Sequence, residues 1–263
     1  MKKVNVLGVA ALAAGVGLSG VARAEGFELS LGADAVSSYV WRGALCGSAA
    51  IQPALGISYG GFSLGAWGST DIAGLRLKEL DLSVGYSIGN LSLAITDYWW
   101  NGEGSPYGFY KHSQKYSEKF GIDNGHLFEG AIGYSIGNFS ASWSTFFLGD
   151  KIPDLDKEGA LQFDGETGII KMKEQFSTFI EASYAFDVKG ISFTPSIGIV
   201  PWKSMYHKSH DNSDDDRSFT LATVSFTASK ELKVTESFSL PVFTQLVFAP
   251  ELDNAFLVFG LSF

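Results

Sequence analysis

From about residue 27 to the last residue, apolar and small polar positions alternate almost one for one. That is the period of a β-strand with two unlike faces. In the stretch 80–88, one face carries Leu80, Leu82, Val84, Tyr86 and Ile88, and the other Asp81, Ser83, Gly85 and Ser87. The stretch 139–147 repeats the arrangement, with Phe139, Ala141, Trp143 and Phe147 against Ser140, Ser142 and Ser144. Followed along the chain, the pattern predicts twelve strands: 27–42, 48–58, 62–71, 79–88, 91–101, 127–136, 139–149, 176–187, 191–203, 218–231, 238–249 and 254–263.

The connections fall into two sets. One is short and turn-like, at 59–61, 88–90, 136–138, 188–190 and 233–237. The other runs from short to very long, at 43–47, 72–78, 102–126, 150–175, 204–217 and 250–253. The hexapeptide GYSIGN occurs at Gly85–Asn90 and again at Gly133–Asn138, each time at a short connection, so it reads as a hairpin turn rather than a ligand motif.

Segregated loop lengths and an even strand number predict an all-β fold. The expected architecture is a closed antiparallel transmembrane β-barrel of about 12 strands, with short periplasmic turns and long extracellular loops. Closure is required in lipid, because an open sheet edge would leave backbone groups without partners. Aromatic residues sort to strand ends as two girdles. Tyr59, Phe62, Tyr86, Tyr134, Phe139, Phe186, Phe193 and Phe238 flank the short turns. Tyr39, Trp41, Trp99, Phe147, Phe219 and Phe248 lie towards the long loops. Three irregularities are expected. Asp97 falls on the lipid face by strict alternation, so a bulge or a place near the interface is needed. The strand 218–231 slips phase between Leu221 and Val224, and Pro53, Pro195 and Pro241 interrupt strands.

Residues 1–24 read as a secretory signal peptide, which leaves 25–263 as one outer-membrane β-barrel. Lys2 and Lys3 precede an apolar stretch that ends at Ala22-Arg23-Ala24, a small-x-small cleavage pattern. Setting aside Lys2, Lys3 and Arg23 leaves 16 basic against 28 acidic residues, a net charge near −12. That argues against nucleic acid as a partner. Cys46 is the single cysteine, so there is no intramolecular disulfide and no cysteine-based zinc site. The final strand, alternating through Ala255, Leu257, Phe259 and Leu261 to Phe263, fits the signature that the β-barrel assembly machinery recognises. Outer-membrane lipid, that machinery and small solutes are therefore the expected partners.

By parity Asp34, Arg42, Gln52, Asp71, Asp81, Glu129, Glu181 and Gln245 point inward and are candidate pore-lining residues. Asp81, Glu129 and Glu181 each stand five positions before a turn-proximal aromatic, which predicts similar heights. Two readings are open: a polar, net-acidic pore lining, or a hydrogen-bonded plug that fills a narrow barrel. No metal, cofactor or catalytic residue is assigned. The His207, His210, Asp211 and Asp214–Asp216 cluster in loop 204–217 reads as solvated surface, and Lys111, Lys115 and Lys119 in loop 102–126 as a rim. His126 near Glu129 is a thin candidate for a protease dyad, and no nucleophile constellation accompanies the other histidines.

The segments SSYVWRG (Ser37–Gly43), IQPALGISYGGFSLGAWGSTD (Ile51–Asp71) and ELDLSVGYSIGNLSLAITDYWW (Glu79–Trp100) resemble the TorF-type (Gcw-CHP) outer-membrane porins of Gram-negative bacteria. The shared positions are Tyr39, Arg42, Gly43, Gln52, Pro53, Tyr59, Gly61, Phe62, Gly65, Trp67 and Ser69. ALCGS at 44–48 departs from the Ser-Gln that many members carry there. The resemblance covers about 75 residues and implies a porin of undefined solute. The expected function is passive diffusion of small solutes. The alternative is a narrow or plugged barrel acting as a surface-exposed binding or structural protein, and less an outer-membrane enzyme.

Overall fold

The computed structural model describes residues 20–24, 26–72, 78–101, 126–207, 219–236 and 238–263. Twelve antiparallel strands close into a barrel. They are β1 (Phe27–Val36), β2 (Ala50–Tyr59), β3 (Phe62–Asp71), β4 (Lys78–Ile88), β5 (Leu91–Asn101) and β6 (His126–Ile136). The series continues with β7 (Phe139–Leu148), β8 (Thr178–Tyr184, resumed at Phe186–Val188), β9 (Ile191–Val200), β10 (Thr220–Lys233), β11 (Ser239–Ala249) and β12 (Asn254–Ser262). Each pairs with its chain neighbour, and β12 returns to β1.

The alternation builds two environments. Leu31, Leu55, Leu64, Val84, Ile95, Ile132 and Ile197 are exposed on the outer surface. Ser30, Gln52, Ser69, Ser92, Ser144, Thr223 and Ser225 are buried inside. An outer face this apolar around a polar interior, on strands of about ten residues, is the inverse of a water-soluble barrel and suits a bilayer. The lower girdle is present as ring contacts: Phe62 and Tyr86 centroids lie 4.6 Å apart, and Phe193 lies 5.6 Å from Phe186 and 5.5 Å from Phe226. Turns between β2 and β3 and between β8 and β9 use left-handed central pairs, Gly60-Gly61 and Lys189-Gly190. That geometry matches the twist of the strands they join.

The irregularities have local causes. Ala222 is the extra residue of a β-bulge, since Thr223 pairs with Gly198 but Leu221 with Ile199; this is the phase slip read from the sequence. The β2–β3 ladder passes over Gln52 and Pro53, and the β8–β9 ladder passes over Thr194 and Pro195. A proline has no N–H to give a ladder. Asp97 is accommodated neither by a bulge at its own position nor by solvent alone. His126 Nδ1 lies 2.8 and 3.0 Å from its two carboxylate oxygens.

Two strand predictions are corrected. The strand expected over 176–187 is broken at Ala185. The strand expected over 27–42 stops at Val36, where the chain bends at Ser37-Ser38. A small hairpin follows, Tyr39–Trp41 against Ala44–Gly47, and a second bend at Ser48-Ala49 leads into β2. The expected extracellular connection at 43–47 is thus the far arm of an inward-turned hairpin. Tyr39 and Trp41 accordingly leave the outer girdle for the interior. The alternation does continue through this segment, and it fixes which residues share a face without fixing where the segment bends.

The longest described connection, 149–177, projects as a ribbon. Lys151–Pro153 pairs with Met172–Glu174, and bridges continue at Leu155–Leu161 and Phe163–Ile170. Loops 102–125 and 208–218, with the lysines of the first and with His210 and the aspartates of the second, lie outside the described residues. So do residues 1–19 of the expected signal peptide. Gly20–Ala24 is described as a strand on the β1 edge, pairing with Phe27–Leu31.

Candidate functional site

The inward hairpin organises the lumen. Its tip is a two-residue turn, Arg42-Gly43, with φ of +48° and +87°. Positive φ at both central positions gives the tight type of turn whose twist suits a hairpin, and glycine accepts it freely. Arginine does so only at a cost of about 1–2 kcal/mol, so something must hold it there. The room at Gly43 is also limited. A Cβ on it would stand 2.9 Å from the Ala249 Cβ and 3.0 Å from the Thr223 Cγ2, which brings the hairpin against β10 and β11.

Arg42 is held by a bidentate ion pair. Its Nη1 donates to Glu129 Oε1 at 2.5 Å and its Nη2 to Glu129 Oε2 at 2.9 Å, with side-chain exposures of only 8% and 3%. Tyr98 adds a hydroxyl bond to Glu129 Oε2 at 3.0 Å, and the Tyr206 hydroxyl accepts from Arg42 Nη1. The guanidinium also lies 4.4 Å from the Trp41 ring and 5.0 Å from that of Phe179. Burial works against the Arg42 charge, yet the Glu129 carboxylate and the Tyr206 hydroxyl beside it hold its pKa above the ordinary value for an arginine.

Around this pair the hairpin packs as a dry aromatic body. Trp41 sits 5.7 Å from Tyr98, 5.9 Å from Tyr206, 6.1 Å from Trp100 and 6.3 Å from Phe146. Phe146 and Val200 have no exposed surface at all. At the root, Tyr39 packs on Trp67 of β3 at 5.5 Å, and burial with the Glu79 carboxylate beside it raises the Tyr39 pKa. Both bends are fastened to the wall. Ser37 exchanges two bonds with the Phe259 backbone, at 2.8 and 2.9 Å, and Ser48 Oγ donates to Asp71 Oδ2 at 2.5 Å. Tyr206 is presented by the turn after β9, which Met205 N–H ties to Ser177 Oγ at 2.8 Å, while Asp150 accepts from Ser177 N–H at 2.7 Å.

Beneath the hairpin lies a cavity of about 630 Å³, whose wall mixes apolar side chains with a run of hydroxyls from β7 to β10, including Ser144, Thr194 and Ser225, joined by Thr96 of β5 and Ser262 of β12. Hydroxyls can both donate and accept, so such a wall solvates polar solutes of either charge. Glu181, Gln52 and Gln245 also line the cavity, beside Arg42 and Glu129. Asp34 is buried opposite Ser262, and Asp71 at the hairpin root. Asp81 is buried on the β4 wall, facing Trp67 and Tyr98 across its two ladders and two positions from Glu79.

All eight inward-pointing candidates thus turn to the interior, but they do not act alike. Glu129 is neutralised by Arg42, Glu181 faces the cavity below, and Asp81 stands with Glu79 on the opposite wall. His126 and Glu129 lie on opposite faces of β6, and His126 is engaged by Asp97. Sequence reasoning missed Glu79 and Tyr98, though both share the inward parity. It also missed Tyr206, which sits in an aperiodic turn and left no signal. Among the described residues no group of histidine, cysteine and acidic side chains has the arrangement of a metal site.

No family model and no curated protein matches the chain. The resemblance of Ser37–Trp100 to TorF-type porins rests on its residues alone. Solved structures of similar fold include the outer-membrane protein OprD from Pseudomonas aeruginosa, 13% identical over 90% of this chain with a TM-score of 0.35. This chain spans 64% of that one's length. An improved structure of the same protein gives 14% identity and a TM-score of 0.32, covering 90% and 65% of the two chains. A chain from a study of in-meso crystallization of membrane proteins gives 7% and 0.38, covering 89% and 81%.

Proposed function

We propose that this barrel is an outer-membrane channel of the TorF-like porin type for small polar solutes, with the Trp41-Arg42 hairpin as its constriction. The observation that carries the reading is a cavity of about 630 Å³, with hydroxyls along much of its wall, inside an apolar outer belt. A wall that solvates polar groups has a use in a lipid environment when something polar crosses there. Asp34, Arg42, Gln52, Asp71, Asp81, Glu129, Glu181 and Gln245 are its lining. The acidic side chains Asp81 and Glu181 give it a preference for cations and neutral solutes. The strand ending at Phe263 is the segment offered to the β-barrel assembly machinery.

The test is conductance of the refolded protein in planar lipid bilayers. The wild type is expected to give small or infrequent steps. A variant with residues 39–47 replaced by a short glycine–serine turn should give larger ones. Absence of steps from both proteins would remove the channel reading. A second reading, a permanently plugged barrel with a surface-binding or structural role, is favoured by the dry packing of Trp41 against Tyr98, Phe146 and Tyr206. It predicts silence from the wild type but steps from the hairpin-less variant.

A further inference from the structure

The inward hairpin and the barrel wall share one register. Val36 pairs with Ala50 at the top of the β1–β2 ladder, and Tyr39 pairs with Gly47, three residues further up each strand. A single bulge between Tyr39 and Val40 absorbs the difference at the tip. The hairpin is therefore the β1–β2 ladder itself, bent inward at the Ser37-Ser38 and Ser48-Ala49 bends. In a sheet, in-register pairing through a bend means that the two parts can also lie straight.

A second observation is independent of the hairpin. β12 pairs with β11 along Asn254–Leu261, but with β1 only over Gly260–Ser262, extended by backbone bonds between Ala33 and Phe263 and between Ser37 and Phe259. The β1-facing edge of Asn254–Val258 has no strand partner among the described residues. The bonded pairs Phe263 with Ala33 and Phe259 with Ser37 stand four residues apart, with Leu261 opposite Ala35 midway between them. The next in the same register are Leu257 with Tyr39, then Ala255 with Trp41. The ladder stops at Ser37, the residue where the chain bends inward.

We propose that residues 37–49 form a hinged flap with two seats. In the inward seat Trp41 and Arg42 plug the lumen. In the upright seat the segment continues β1, and Tyr39 and Trp41 zip onto the vacant Leu257 and Ala255 edge of β12. The upright seat turns Tyr39 and Trp41 to the outer face, where the alternation of the sequence puts an aromatic girdle. It leaves Arg42 facing the lumen and opens the cavity upward. An unpaired strand edge is costly in lipid, so the vacant edge is a ready partner, and the Arg42–Glu129 pair is the latch that opposes it. This gate rests on the channel reading for its purpose, though not for its motion.

Disulfide trapping tests the motion directly. Tyr39 faces Trp67 inside the barrel, whereas Leu257 is 56% exposed on the outside, so the wall separates them in the inward seat. In the upright seat they are directly opposite, at the Cα spacing a disulfide spans. The full chain carrying Cys46→Ser, Tyr39→Cys and Leu257→Cys, with and without Arg42→Ala to release the latch, is refolded into phosphatidylcholine vesicles and oxidised with copper phenanthroline. A control pairs Tyr39→Cys with Leu64→Cys, which is exposed on the outer face of β3. Heat-modifiable gel mobility verifies that each variant is folded.

The expected result is a disulfide between positions 39 and 257 only, formed at least tenfold faster with Arg42→Ala, with conductance that rises on oxidation and falls on reduction. Folded protein with reactive thiols and no such disulfide in either background overturns the flap. A disulfide that forms without any conductance upholds the flap and removes the channel reading.

Discussion

Removing the latch should open the channel by an amount that the geometry allows to be worked out. In Arg42→Ala the Glu129 carboxylate, 3% exposed and bonded to both guanidinium nitrogens, loses its counter-charge. Deleting one partner of a buried ion pair costs about 3–5 kcal/mol. The low end applies here, because Tyr98 still donates to Oε2 at 3.0 Å and the lumen below can admit water. Only the inward seat suffers this loss, since an upright hairpin leaves Glu129 facing open lumen in either protein. A destabilisation of about 3 kcal/mol shifts a two-state balance by roughly a hundredfold. A channel open for under one part in a hundred of the time should then be open for about half of it. Single-channel recording measures that fraction directly. Glu129→Ala should act similarly by stranding the guanidinium, and the double variant should be no worse than either alone, giving a coupling of about 2–3 kcal/mol. An Arg42→Ala open fraction within twofold of the wild type would refute the latch.

Other expectations follow from the same geometry. Gly43→Val forces a β-branched residue to φ +87° and into Ala249 and Thr223, so it should weaken the plug by about 1–2 kcal/mol and raise basal conductance without altering heat-modifiable mobility. His126→Leu leaves the Asp97 carboxylate without its imidazole partner on the outer face and should lower the unfolding free energy read from urea titration by about 1–2 kcal/mol, whereas adding Asp97→Asn should restore most of the loss. Burial pushes the Cys46 thiol from an ordinary 9.0 up to about 12, with Glu79 nearby adding to the rise. The neutral thiol is the form the hairpin holds. Its contribution is present below pH 9 and lost as pH climbs towards 12, so labelling by a membrane-impermeant maleimide should be slow at pH 8 and should rise steeply above pH 9.

Most of the wall was legible because a barrel strand has one apolar and one polar side, and parity alone then assigns every residue. The ends of β3, β5 and β6 fell within a residue of expectation for that reason. The same strength explains the failure at 27–42. The alternation of Val36, Ser38, Val40 and Arg42 is identical whether the segment stands in the wall or bends into the lumen, since both positions keep the β1–β2 register. What decides the bend is long-range: the Arg42 contact to Glu129 spans 87 residues and that to Tyr206 spans 164. Nothing local to SSYVWRG encodes either partner. Asp97 was flagged as misplaced from parity, but its remedy, His126, becomes visible only when β5 and β6 are set in register.

The joint between β1 and β12 also bears on how the barrel comes to exist. Every other pairing joins strands adjacent in the chain, so the sheet can grow hairpin by hairpin with little sequence separation to overcome. The last joint alone brings Ala33 to Phe263. Closing a ring of that length costs about 5 kcal/mol of chain entropy, and only a handful of backbone pairs reward it. Ring closure, rather than strand formation, is thus expected to set the pace of maturation. A refolding experiment should accumulate an open, fully stranded sheet before any heat-resistant barrel is seen.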